Sequence, residues 1–326
     1  MSMTLNMKMT LSPSSLSLHP SLSPPSLSLH PSLSHASPHH RHVAFPRRHH
    51  HCRRLSVAAA IRQATAAISK DTTTWTSAPL ADVSCAGERL CYVTADLSTS
   101  PGLVANFVRP GQYLQIRIPD TLVNPPPSAA YFYIASPVGQ KSEFEFLVKS
   151  VPGKTAGVLC TLKKGDVIEL SGIDGSGFDM DQLLPPEAYP TVLLFTTGYG
   201  IGPVRSLIKT GFSANKRSDV RLYYGVENLQ KMAYQVLCSA LLNVTSSRMN
   251  SKIGRFSGVK VIPVLSDPPA NWTGATGHIQ DVYLKDNPIA DPQTTGAVLS
   301  GNPNMIKEVT AVLEAKGVSP EKILVA

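Results

Sequence analysis

Thr196-Thr197-Gly198-Tyr199-Gly200-Ile201-Gly202-Pro203 follows the apolar run Val192-Leu193-Leu194-Phe195 and leads into Val204-Arg205-Ser206-Leu207-Ile208-Lys209. A short buried strand therefore turns through three glycines into a helix. Such a turn presents backbone N–H groups at a helix N-terminus, where the absent intrahelical partners and the helix dipole together favour a phosphate. Glycine lets the chain approach a pyrophosphate closely, and Pro203 suits a first helical turn because its missing N–H would have had no partner there. Tight strand–helix packing uses the same spacing, so the turn alone leaves a nucleotide seat and a packing device both open.

The surrounding pattern narrows the choice. After the linker Leu184-Pro185-Pro186-Glu187-Ala188-Tyr189-Pro190, short uniformly apolar strands are predicted at 192–195, 220–224, 259–265, 297–299 and 323–325. Helices are predicted between them at 205–209, 234–242 and 305–315. Strands apolar on both faces, joined by helical crossovers, imply a doubly wound parallel sheet, whose ligands sit beyond the carboxyl ends of the strands. The glycine turn falls at such an end.

Upstream of the linker the pattern is different. Candidate strands at 90–97, 113–118, 131–134, 144–149 and 167–170 alternate polar and apolar residues, as Gln115 and Arg117 or Glu143 and Glu145 do. Gly111, the Asn124-Pro125-Pro126-Pro127 run, Gly153 and Gly165 break them. Many short strands at this spacing predict a small antiparallel barrel.

The formal charge of +8 belongs to the tail. Residues 1–70 contain no Asp or Glu and hold eight of the 30 Lys and Arg, leaving 22 basic against 22 acidic side chains in 71–326. No domain-wide field therefore favours nucleic acid or a membrane surface. The tail is rich in Ser, Leu, Pro and His and repeats itself, Ser15-Leu16-Ser17-Leu18-His19-Pro20-Ser21-Leu22-Ser23 recurring from Ser26 to Ser34. It buries too little apolar surface to offset ordering, so disorder is expected. An acid-free, Ser-rich, Arg-containing segment reads as a transit peptide, here 1–59, cut near Ala59 in Val57-Ala58-Ala59-Ala60. A chloroplast, with stroma as the compartment, is the first expectation and a mitochondrion the alternative. No run is long enough to span a bilayer.

The five cysteines, Cys52, Cys85, Cys91, Cys160 and Cys238, show no metal-ligand spacing. Their scatter predicts unpaired, buried thiols in a reducing compartment. No metal site is expected, His49-His50-His51 beside Cys52 lying in the tail. Only His278 remains after processing, in a loop where a structural role is expected, and no Ser-His-Asp or Cys-His set for hydrolysis is present.

Barrel first and nucleotide fold second resembles the ferredoxin-NADP reductase superfamily over about residues 85–326. The chain looks closest to a plant branch labelled "fruit protein" and, more distantly, to electron-transfer flavoprotein subunits of dihydroorotate dehydrogenase. The resemblance rests on ordered motifs. Gly198-Tyr199-Gly200-Ile201-Gly202-Pro203 stands at the family's pyrophosphate loop, and Leu222-Tyr223-Tyr224-Gly225 at its second strand, with Tyr234 at a family tyrosine. Trp272-Thr273-Gly274-Ala275-Thr276-Gly277-His278-Ile279 resembles its W-x-G-x-x-G stretch, and Ser300-Gly301-Asn302-Pro303-Asn304-Met305 its cysteine-glycine-proline motif. The resemblance implies an antiparallel FAD-binding barrel at 60–184 and an NAD(P)-binding α/β domain at 191–326. It implies NAD(P) contacts from Thr197, Gly198, Tyr199, Gly200, Ile201, Gly202, Pro203, Tyr224, Gly225, Tyr234, Gly301, Asn302 and Met305. It also implies FAD contacts from Phe132, Tyr133, Ile134, Ala135, Ser136, Val148, Lys149, Gly153, Lys154 and Thr155.

Two departures stand out. Aligned on Ile134-Ala135-Ser136, the family's R-x-Y-[ST] signature falls on Ala130-Tyr131-Phe132-Tyr133, so the arginine toward the flavin phosphate is Ala130. Losing that charge-assisted contact costs about 1.5–3 kcal/mol, which Lys154 is placed to offset. Sliding the alignment by one residue would turn the strand's other face inward. Second, the family's nicotinamide-facing cysteine is Ser300, the expected catalytic position. Glu227 and Asp267 beyond the second and third strands disfavour a 2'-phosphate, with Lys231 the one nearby cation, so NADH is favoured and NADPH left open.

The expected function is hydride transfer from NAD(P)H to FAD, with electrons passing to an unidentified acceptor, protein or small molecule. Two alternatives stand beside it: a nucleotide-binding or partner-binding module with weakened turnover, and an electron-transfer subunit of a larger complex.

Overall fold

The computed structural model describes residues 73–235, 258–286 and 289–326. The tail, Cys52, Cys238 and the stretch 236–242 of the expected helix lie outside these residues.

The first sheet is the barrel. It comprises β1 (Thr76–Gly87), β2 (Leu90–Asp96), β3 (Tyr113–Arg117), β4 (Ala130–Tyr133), β5 (Glu143–Lys149) and β6 (Val167–Leu170), in the order β4-β3-β6-β1-β2-β5. Every pairing is antiparallel. The two edges meet where Ala135 N–H donates to the Glu145 carbonyl at 2.7 Å and Glu145 N–H donates to Ser136 Oγ at 3.1 Å. The inward side chains of the period-two strands, among them Val93, Leu114, Ile116, Phe144, Phe146 and Ile168, fill the interior. Two short helices, α1 (Pro101–Ala105) and α2 (Thr155–Leu159), cover it.

The second sheet is wholly parallel, in the order β10-β9-β8-β7-β11-β12. Its strands are β7 (Thr191–Thr197), β8 (Asp219–Val226), β9 (Lys260–Leu265), β10 (Ala275–Thr276), β11 (Thr295–Ser300) and β12 (Ile323–Val325). Helices α3 (Ile201–Thr210), α4 (Ile279–Asp286) and α5 (Pro303–Ala315) supply the crossovers. Val192, Leu194 and Val298 pack on one face against Ile201, Val204 and Leu207 of α3. Leu193, Phe195, Ala297 and Leu299 pack on the other against Met305, Val309 and Leu313 of α5. Burial of both faces explains the uniformly apolar strands. Arg217 fastens the linker, its buried guanidinium donating to the carbonyls of Leu183 at 2.9 Å and Tyr189 at 2.6 Å.

One expectation is overturned. Cys91 on β2 is joined to Cys160, the C-cap of α2, in a disulfide with a Cα–Cα separation of 5.7 Å. The two cysteines are 69 residues apart in the chain, and only barrel closure brings them together. Cys85 is a free, exposed cysteine.

Candidate functional site

Chain order reverses between β7 and β11, so their carboxyl ends open a crevice. The glycine turn sits there, and its three glycines serve three different needs. Gly198 has φ +54°, and a Cβ added to it would meet no atom within 4 Å. The backbone at this point is therefore open to an incoming group. Gly200 is the packing glycine, because its Cβ would lie 2.5 Å from Gly301 Cα and 2.8 Å from the Ser300 carbonyl carbon. Gly202 faces Ala135 and Leu147 of the barrel, a Cβ added to it lying 3.5 and 3.8 Å from their Cβ atoms. Asn302 N–H donates to Thr197 Oγ1 at 2.7 Å, tying β11 to the turn.

A cleft of about 820 Å³ opens above these strand ends. Thr197, Gly198, Tyr199, Gly225, Gly301, Asn302 and Met305 line it, so seven of the thirteen expected dinucleotide residues converge. Glu227, Lys231 and Ser266 form its wall beyond β8 and β9, and His278 and Gln280 border it at the start of α4. Arg89 and Lys149 bring positive charge from the barrel side. Lys231 Nζ lies 2.6 Å from Glu227 Oε2, and this ion pair raises the lysine pKa.

The other expected dinucleotide residues lie elsewhere. Gly200, Ile201, Gly202 and Pro203 are buried behind the turn. Tyr224 is buried, its hydroxyl accepting from Ala233 N–H at 3.1 Å. Ser300 is fully buried and absent from the cleft lining. Its Oγ has no hydrogen-bond partner, and neither has Oγ1 of Thr196, its register neighbour on β7. Two orphan hydroxyls thus lie directly behind Gly200, a buried polar pair of the kind a bound group or water satisfies.

On the barrel, Phe132 packs into the interior while Tyr131 and Tyr133 lie on the outer face, both edge-on to Tyr113. Of the two rings expected to meet a flavin, that of Tyr133 is thus on the outer face and that of Phe132 in the interior. Burial, with Tyr113 and Tyr199 nearby, raises the Tyr133 pKa. Ile134, Ala135, Ser136 and Val148 are buried, and Thr155 Oγ1 donates to the Ser128 carbonyl at 2.6 Å. Gly153 and Lys154 are exposed at the start of α2.

Tyr234 is not a cleft residue. Its ring packs on that of Tyr92, tilted by 35° with centroids 4.8 Å apart, its N–H donates to the Tyr92 hydroxyl at 2.8 Å, and its own hydroxyl donates to Glu145 Oε1 at 2.7 Å. Arg205 lies 4.6 Å over its ring and donates to the Ala135 carbonyl at 2.8 Å. These residues form a clasp between the two sheets that sequence reasoning missed. The available signal was Arg205 itself, a cation within the apolar stretch that becomes the buried face of α3.

Residues 194–311 match the family model described as "Oxidoreductase NAD-binding domain". The fold is similar to that of a ferredoxin NADP+ reductase from Neisseria gonorrhoeae with bound FAD and NADP, with TM-score 0.58 and 18% identity over 77% of this chain and 98% of that one. The fruit protein pKIWI502 of Actinidia deliciosa is 60% identical over 98% of this chain and 99% of its own length. The chain belongs to the family of that fruit protein, and its fold is that of the ferredoxin-NADP reductases. Sulfhydrogenase 1 subunit gamma of Pyrococcus furiosus is 28% identical over 67% of each chain. That fold accounts for the order of barrel and parallel sheet, and Gly198 at the cleft lies within the stretch that matches the NAD-binding model.

Proposed function

We propose that this reductase-family chain takes a hydride from NADH onto FAD and passes electrons to a separate acceptor. The observation that carries the reading is the placement of the glycine turn, whose Gly198 and Tyr199 line the cleft while Gly202 behind them faces Ala135 and Leu147 of the barrel.

The residues fit both groups. Gly198 leaves room for a pyrophosphate against backbone N–H groups, and Arg89 and Lys149 add charge. Tyr133 offers a ring face, and Lys154 supplies an exposed cation at the start of α2, whereas Ala130 shares the inward face of Phe132, so an arginine there would not face the cofactor. When bound, the two cofactors carry the hydride chemistry themselves, and the protein's part is orientation and exclusion of water. Tyr133 and Tyr199 bound the space between the two halves, Gly200 against Gly301 fixes the turn to β11, and the orphan Ser300 and Thr196 hydroxyls provide donors behind it.

NADH is favoured because Glu227 lines the cleft beyond β8 and Lys231 is already engaged by it. A 2'-phosphate there would meet a carboxylate without an uncommitted lysine to offset it.

A second reading, a nucleotide-binding module with weakened turnover, is favoured by the burial of Ser300. A diaphorase assay with an artificial acceptor, run beside calorimetry with NADH, separates the two. Turnover supports the reductase, and dinucleotide binding without turnover supports the module. The Ser-rich, acid-free tail supports a chloroplast address, which a fluorescent fusion of residues 1–59 in plant cells tests.

A further inference from the structure

Cys85 on β1 is directly opposite Cys91 on β2 in the antiparallel register. Directly opposed residues share a face of the sheet, with Cα atoms about 4.5–5.5 Å apart. That spacing is within the roughly 4.4–6.8 Å that a disulfide accepts. Cys91 is bonded to Cys160, while Cys85 is an exposed thiol that donates to the Gly87 carbonyl at 3.6 Å. Cys91 is therefore bonded to one cysteine and stands opposite a second at a backbone spacing that a disulfide accepts. The register shift between Cys85 and Gly87 adds a local irregularity in β1 beside the pair, where strands adjust most readily.

We propose that Cys85, Cys91 and Cys160 form an intramolecular thiol–disulfide relay that ties or releases helix α2. The Cys85 thiolate attacks Cys91 Sγ, the Cys85–Cys91 bond forms as the Cys91–Cys160 bond breaks, and the electron pair leaves on Cys160. The proton lost by Cys85 is taken up by Cys160, so the step balances with no oxidant or reductant. Its two states differ in one consequence. With Cys91–Cys160 closed, the C-terminal end of α2 is held covalently to β2. With Cys85–Cys91 closed, that tether is gone and a thiol stands at the C-cap of the helix. This relay does not depend on what the cleft binds.

The test uses the full chain carrying Cys52→Ser and Cys238→Ser, so that these three are the only cysteines. The protein is equilibrated in a glutathione redox buffer and quenched in acid, which stops exchange by protonating thiolates. Cross-linked peptides are then mapped by mass spectrometry after digestion at low pH. Both Cys91–Cys160 and Cys85–Cys91 peptides are expected, and a further Cys160→Ser change is expected to leave Cys85–Cys91 alone. Amide exchange across α2 is expected to be faster in that variant than in Cys85→Ser, which keeps the tether. A map holding Cys91–Cys160 alone in the parent chain, with Cys85 and Cys91 both free thiols in Cys160→Ser, overturns the proposal.

Discussion

Arg205 and Glu145 meet across the boundary between the two sheets, the guanidinium Nη1 2.9 Å from one carboxylate oxygen and Nη2 3.2 Å from the other. The arginine side chain is only 8% exposed and the glutamate 24%. This pair fixes how α3, and with it the glycine turn, stands against the barrel.

Removing one partner leaves the other charged group buried without compensation. Glu145→Ala is therefore expected to lower stability by about 3–5 kcal/mol. Tyr234→Phe, which loses a single hydrogen bond to the same carboxylate, is expected to cost about 1–3 kcal/mol. Urea unfolding of the two variants beside the parent chain checks the order, and equal losses would argue against a charge-centred clasp.

Alkaline pH acts on the same region. Burial raises the pKa of Tyr92, Tyr133, Tyr234 and Tyr283. Below the ordinary tyrosine range, near pH 10, both folded and unfolded chains keep these protons. Above it the unfolded chain releases them while the folded one holds them, so stability falls as pH rises. Melting temperature should decline from about pH 10 upward, and Tyr234→Phe should flatten part of that decline.

Gly198 and Gly200 are expected to respond differently to alanine. At Gly198 there is space but φ is +54°, so Gly198→Ala costs about 1 kcal/mol of strain and chiefly weakens dinucleotide binding. At Gly200 the new Cβ runs into the Gly301 backbone, so Gly200→Ala costs more in stability, about 1–3 kcal/mol. Thermal melts and NADH calorimetry on both variants separate the two roles.

Glu227→Ser removes the carboxylate facing the cleft wall and releases Lys231. The ratio of NADH to NADPH turnover is expected to fall by about tenfold, the equivalent of one charge-assisted contact of about 1.4 kcal/mol. Paired kcat/KM values for the two dinucleotides are the measurement, and an unchanged ratio would remove Glu227 from dinucleotide choice.

Much of this architecture was legible in the chain. Residues 192–195 and 297–299 read as buried parallel strands because both of their faces are apolar, and they emerged as the cores of β7 and β11. By contrast β1, Thr76–Gly87, escaped notice although it lies between β6 and β2. Its Ala, Ser, Asp and Cys residues give neither period two nor an apolar run. The glycine turn was found as a motif, but the separate roles of Gly198 and Gly200 depend on Gly301, a hundred residues away. Motif alignment put Phe132 toward the flavin and Tyr234 toward the dinucleotide. The strand turns Phe132 to the interior, with its neighbours Tyr131 and Tyr133 on the outer face. Tyr234 is claimed by Glu145 and Tyr92, which are distant in sequence. The Cys91–Cys160 pairing had no local signature either.

The most direct test of the account is the visible spectrum of the purified full chain, recorded anaerobically before and after addition of NADH. A flavin spectrum that bleaches on addition, with protein-bound FAD identified by mass spectrometry, is the predicted result. A colourless chain that cannot be reconstituted with FAD would contradict it.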